Sequence, residues 1–167
     1  MKLLHVIDTI SMWVGKIARW AALLLSLVVL YEVLSRYLFN RPTIWAFDTA
    51  MMIYSFLYLF GAAYVLWEGK HIRVDVLFNR YPKRVQAAID VFFYLLLFFP
   101  YVVIMIWWGT KATIWSITGE EISNTSQWGE KIWWWKMMIP AGFSFLFLQG
   151  IAEFVRSVRR VFGRENG

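Results

Sequence analysis

The stretch Thr49–Trp67, T-A-M-M-I-Y-S-F-L-Y-L-F-G-A-A-Y-V-L-W, decides the fold. It carries no charge from end to end and matches the ~20 residues that a helix needs to cross a ~30 Å hydrocarbon core. Working outward, three more stretches of the same kind fill most of the 167 residues. The spans read as 14–39, 44–67, 85–108 and 132–155, with short loops and no room for a separate soluble domain. The expected fold is therefore an all-α membrane protein, one four-helix transmembrane domain over 1–167. Composition agrees: 60% hydrophobic residues exceed the share usual for a soluble domain.

The formal charge of +6 does not point to nucleic acid, because the basic residues sit in loops where membrane topology explains them. Lys2, Lys16 and Arg19 precede or open the first span. Lys70, Arg73, Arg80, Lys83 and Arg84 fill the middle loop, and Arg156, Arg159, Arg160 and Arg164 close the chain. Placing these twelve of the 17 basic residues inside predicts cytoplasmic N- and C-termini. Tyr31-Glu32-Val33-Leu34-Ser35-Arg36 is too bulky and charged for a cleavage site, so the first helix reads as an uncleaved signal anchor. Tryptophans gather where the outer interface should lie: Trp45, Trp107, Trp108, Trp115, Trp128, Trp133, Trp134 and Trp135. Indole favours headgroup depth.

The loops add detail. Phe39-Asn40-Arg41-Pro42-Thr43 reads as a tight outer turn. In the middle loop Val74, Leu77, Phe78 and Tyr81 share one helical face, which predicts a short amphipathic helix in the inner headgroup plane. The segment from Lys111 to Lys131 reads as an outer loop, polar around Gly119-Glu120-Glu121-Ile122-Ser123-Asn124-Thr125-Ser126.

Little chemistry is written inside the spans. Glu32 and Arg36 stand four apart and read as an ion pair near the outer interface. Asp48 falls in the first turn of the second helix, where the dipole favours a carboxylate, or an inter-helix tie to Arg36. Asp90 and Glu153 sit near the inner interface, solvated or paired with loop arginines. His71 reads as a hydrogen-bonding or capping residue, and Arg73 as a headgroup-level cation meeting lipid phosphate, Asp75 or a partner. With no cysteine, only His5 and His71 as histidines, and no Gly-rich phosphate loop, neither catalysis nor a metal or cofactor site is expected. Pro100, and Pro140 with Gly142, read as kinks or close-packing points, not as the paired interrupted helices of a self-sufficient transporter.

The order of several segments resembles a known family. Arg36-Tyr37-Leu38-Phe39-Asn40-Arg41-Pro42-Thr43-Ile44-Trp45-Ala46-Phe47-Asp48 is similar to the R-Y-x-F-N-x-P-x-x-W-x-E-[ED] region of DctQ-like small membrane subunits of tripartite ATP-independent periplasmic (TRAP) transporters. Gly61-Ala62-Ala63, Gly69-Lys70-His71-Ile72-Arg73-Val74-Asp75, Ile139-Pro140-Ala141-Gly142 and Leu148-Gln149-Gly150 resemble its later segments. Phe47 departs from the acidic residue common there. The resemblance implies a non-enzymatic subunit of a sodium-coupled importer of organic acid-like solutes. Its partners would be a large TRAP membrane subunit and a periplasmic substrate-binding protein, in the bacterial inner membrane among its lipids. The flavour of the last third looks like the branch linked to 2-oxo acids, lactate or mannitol/chloroaromatic compounds. Small-residue patches at Gly61-Ala62-Ala63 and at Ala141, Gly142 and Ser144, with Arg36, Trp45 and Asp48, are the expected partner surface or bundle packing. Two other readings stand beside it: a stand-alone proton-coupled exporter using Glu32, and a non-transport membrane assembly factor.

Overall fold

The computed structural model describes residues 2–68, 82–125 and 127–162. Among them are four helical rods long and apolar enough to cross a membrane, and no strand. Helix α1 is Lys2–Tyr37 and α2 is Ala46–Trp67. Helix α3 comprises Lys83–Phe93, a π-helical turn Tyr94–Phe98 and Phe99–Thr118. Helix α4 is Trp133–Val161. We call the end holding residue 2 and residue 161 the terminal end, and the end holding the α1–α2 and α3–α4 connections the turn end.

Helix α4 is the hub: α1 and α2 pack together and both touch α4, and α3 packs on α4 from another side. The core forms where three rods meet, Leu66 of α2, Val102 of α3 and Leu146 of α4, ringed by Ala62, Tyr94, Phe98, Ile106, Phe143 and Phe147. Most of the apolar surface instead faces outward. In its most apolar window α4 buries 22% of residues, whereas α1 and α3 bury only 6% each. That inversion of a soluble core is what a lipid-solvated chain requires.

The second span lies within two residues of its expectation, but three helices overrun theirs. Helix α1 starts at Lys2, well before Val14; α3 continues to Thr118, past Trp108; α4 continues to Val161. The Lys111–Lys131 segment is therefore helical up to Thr118, which corrects the expectation of a loop there, and the stretch expected to be polar begins where the helix ends, at Gly119. Apolar length marks what a bilayer can hold, whereas backbone bonding continues for as long as side chains outside it find partners. The rest of the segment is pinned by an isolated antiparallel bridge, Ile122 to Lys131, with Ser123 N donating to Glu130 O at 2.8 Å. Lys136 pairs with Glu121 across this connection and holds its carboxyl below the usual carboxylate range.

The π turn has a local cause. Pro100 has no N–H, and its ring would press on the carbonyl four residues back in a regular helix. Widening the preceding turn, with Phe99 N–H bonded to Tyr94 O, makes room for the ring and swings Phe98 onto α4. The predicted amphipathic helix, with His71, Arg73 and Asp75, lies outside the described residues.

Candidate functional site

Polar side chains concentrate at the two ends of the unit, and each set ties helices together. At the turn end, Arg36 Nε donates to Glu32 Oε1 at 3.0 Å, and Thr43 donates to the other carboxylate oxygen through its N–H (3.1 Å) and its hydroxyl. Glu32 thus binds its own helix to the start of the next. Ser35 donates to Arg41 O, Arg41 N–H returns to Ser35 O at 3.0 Å, and Asn40 takes φ 50° to close the turn. Trp45 stacks on Tyr31 with ring centroids 5.8 Å apart. Asp48 follows in the first turn of α2, fully buried. A carboxylate bound on both oxygens is poorly placed to carry protons, which speaks against Glu32 as the working group of an exporter.

At the terminal end a second assembly was not read from the sequence. Gln149, fully buried on α4, accepts a bond from Ser11 Oγ at 2.8 Å and donates from Nε2 to Asp8 Oδ1 at 3.2 Å and Glu153 Oε1 at 3.5 Å. Arg156 pairs with both Asp8 and Glu153. Five side chains from α1 and α4 therefore satisfy one another where water is scarce, the condition under which polar groups stabilise instead of costing. Glu153 was expected to be solvated or paired with loop arginines, and its i, i+3 spacing to Arg156 was the available signal; Asp8 stands 148 positions from Arg156.

Between the ends, helices meet at glycines. A Cβ on Gly142 would lie 2.7 Å from Leu59 Cβ, and one on Gly109 would lie 3.0 Å from Pro140 Cδ. Gly150 receives the Phe98 ring and Gly15 the Tyr64 ring in the same way. Pro140 thus rests against α3, and its carbonyl accepts a bond from Ser144 at 2.6 Å. Trp135, counted with the interfacial belt, instead donates Nε1–H to Ser55 at 3.0 Å, a tie from α4 to α2. Gly61 behaves differently: a Cβ there would meet nothing within 4 Å. The two small-residue patches therefore split. Ala62, Ala63 and Gly142 pack inward, whereas Gly61 and Ser144 face out.

Three deeper features bear on chemistry. No group of three or more metal-ligating side chains occurs among the described residues. The three helices meet on the apolar side chains of Leu66, Val102 and Leu146, with the Tyr94 ring packed beside them. A groove of about 600 Å³ between α1, α2 and α4 is lined almost entirely by apolar side chains, among them Trp20, Leu24, Met52, Phe56 and Met138.

The chain matches the family model described as tripartite ATP-independent periplasmic transporters, DctQ component, over residues 25–160. It is 34% identical over 62 residues to the C4-dicarboxylate TRAP transporter small permease protein DctQ of Vibrio cholerae, covering 37% of this chain and 27% of that protein. It is 25% identical over 71 residues to the sialic acid TRAP transporter permease protein SiaT of Haemophilus influenzae, covering 42% of this chain and 12% of that protein. The matched stretches thus span well under half of either relative, and the family model covers most of this chain. The chain belongs to the DctQ component family of the TRAP transporters.

Proposed function

We propose that the chain is the small, non-enzymatic subunit of a TRAP-type importer in the bacterial inner membrane. It braces a large permease subunit that carries solute and coupling sodium, while a periplasmic protein captures the solute. The single observation that carries this reading is the placement of polar groups. Those of the two end assemblies are spent on bonds within and between helices, and the residues that meet at the centre of the three helices, Leu66, Val102 and Leu146, are apolar, so the chain is built to hold a shape. Both relatives are named for carboxylic acids, a C4-dicarboxylate and sialic acid, which supports an organic acid as the solute class.

Deleting this chain while the large subunit and the binding protein are still made should reduce solute uptake to background. Uptake at the normal rate without it would refute the bracing role and favour an assembly factor or an unrelated exporter.

The orientation follows from the basic residues: terminal end in the cytoplasm, turn end in the periplasm. No native cysteine interferes with labelling. Asn124→Cys, in the α3–α4 connection, should react with a membrane-impermeant maleimide in spheroplasts, and Thr9→Cys, exposed near the start of α1, should react only after lysis. The reverse pattern would invert the topology.

A further inference from the structure

The outward face of α2 carries one continuous stripe: Phe47, Met51, Tyr54, Tyr58, Gly61 and Val65, at the 3.6-residue period of a single helical face. Lipid suits its ends but not its middle. Tyr58 is 68% exposed and Tyr54 53%, their rings stacked 6.2 Å apart. Among the described residues neither hydroxyl has a hydrogen-bond partner. Counting ~1.5 Å per residue, Tyr58 lies about 18 Å from Ala46 and about 14 Å from Trp67, close to the middle of a ~30 Å core. Tyrosine facing lipid belongs at headgroup level, where its hydroxyl meets water; at mid-depth hydrocarbon offers it nothing. Three residues further along the stripe, Gly61 leaves a notch that no side chain among the described residues fills.

We propose that this stripe is the seat of a membrane helix of the large subunit, with polar side chains or backbone carbonyls that accept from Tyr54 and Tyr58 and a side chain that enters the notch at Gly61. The proposal rests on the reading of the chain as a permease subunit. A second copy fits the stripe poorly. Two identical chains of one orientation are related by an axis along the membrane normal, which keeps each residue at its own depth. Tyr58 would then oppose Tyr58 and Gly61 oppose Gly61, bulk on bulk and notch on notch. The two donor hydroxyls and the notch are complementary to something unlike themselves.

The test uses the full chain co-expressed with the large subunit. A photo-crosslinking residue at Tyr58 should capture the large subunit, and one at Leu148, on the exposed face of α4, should not. Gly61→Leu should lower co-purified large subunit more than tenfold while the chain keeps its own melting temperature, since a Cβ at this position meets nothing within 4 Å among the described residues. Tyr54→Phe with Tyr58→Phe, which removes only the hydroxyls, should lower it roughly threefold per hydroxyl. Crosslinks from Tyr58 only to lipid, or to a second copy, would overturn the proposal, as would wild-type recovery in both variants. If the unmodified chain recovers no large subunit at all, the underlying permease-subunit reading fails first.

Discussion

Gly142→Leu is expected to take the protein apart at its centre. The first added carbon would sit 2.7 Å from Leu59 Cβ and 3.3 Å from the Leu59 carbonyl carbon and oxygen. The backbone atoms belong to α2 and cannot turn aside as a side-chain tip can, and leucine adds three more carbons beyond. Helices at such a contact must separate toward the 8–10 Å axial spacing that larger side chains impose. The neighbouring ties would go with them: the Trp135–Ser55 hydrogen bond and the Phe60–Phe145 ring contact at 5.6 Å. The Leu66–Val102–Leu146 core would open on its α2 side. Overpacking of a filled interior costs about 1–3 kcal/mol and more where backbone blocks relaxation, so about 3 kcal/mol or more is expected. Thermal unfolding in detergent measures it, with Gly142→Ala giving a smaller loss in the same direction. An unchanged midpoint for Gly142→Leu would mean that α2 and α4 do not meet at this glycine.

Gly61 and Gly142 show where sequence reading stops. Both are glycines inside apolar helices beside alanines, so composition gives them the same weight. Only the neighbours separate them: Leu59 at one, nothing at the other. Helix α2 was legible to within two residues because a charge-free run ends at both sides in turn-forming or charged residues. The start of α1 and the end of α3 were not, because charges there look like loop: Asp8 is in fact paired with Arg156 of α4, and Lys111 lies over Trp107 and Trp108 of its own helix. Glu32–Arg36 was legible for its i, i+4 spacing, whereas Asp8–Arg156 depends on how α1 leans on α4. Gln149 was quoted within a family segment, but its neutral amide gives no sign in sequence that it is the buried centre of a network. The π turn had a signal in Pro100, a proline within a span that needs relief on the preceding turn. Whether that relief is a kink or a widened turn is decided by what the displaced ring, Phe98, can enter: Gly150 of α4.

Arg156→Ala should be the most damaging change outside the core. Its guanidinium pairs with both Asp8 and Glu153, whose side chains are 17% and 18% exposed. Without it, two carboxylates remain on the amide of Gln149 with little water to solvate them. Removing one member of a fully buried ion pair costs about 3–5 kcal/mol, chiefly the desolvation of the charge left behind. Partial exposure here brings the expected cost down to about 2–3 kcal/mol. For a chain of this size that lowers the unfolding midpoint by about 5–10 °C. The loss should be local in origin. Amide exchange in the first turns of α1 should quicken, while the Glu32–Thr43 corner at the far end stays protected. Changing Asp8→Asn and Glu153→Gln in the same chain should recover most of the stability, because the charges that needed Arg156 are gone. A triple variant as unstable as the sum of its single changes would show that the three side chains act independently and that α1 is held to α4 by apolar contact alone. Recovery would show the opposite: that the long first helix is anchored at the terminal end by charge, and that the sequence keeps Asp8 and Arg156 for each other.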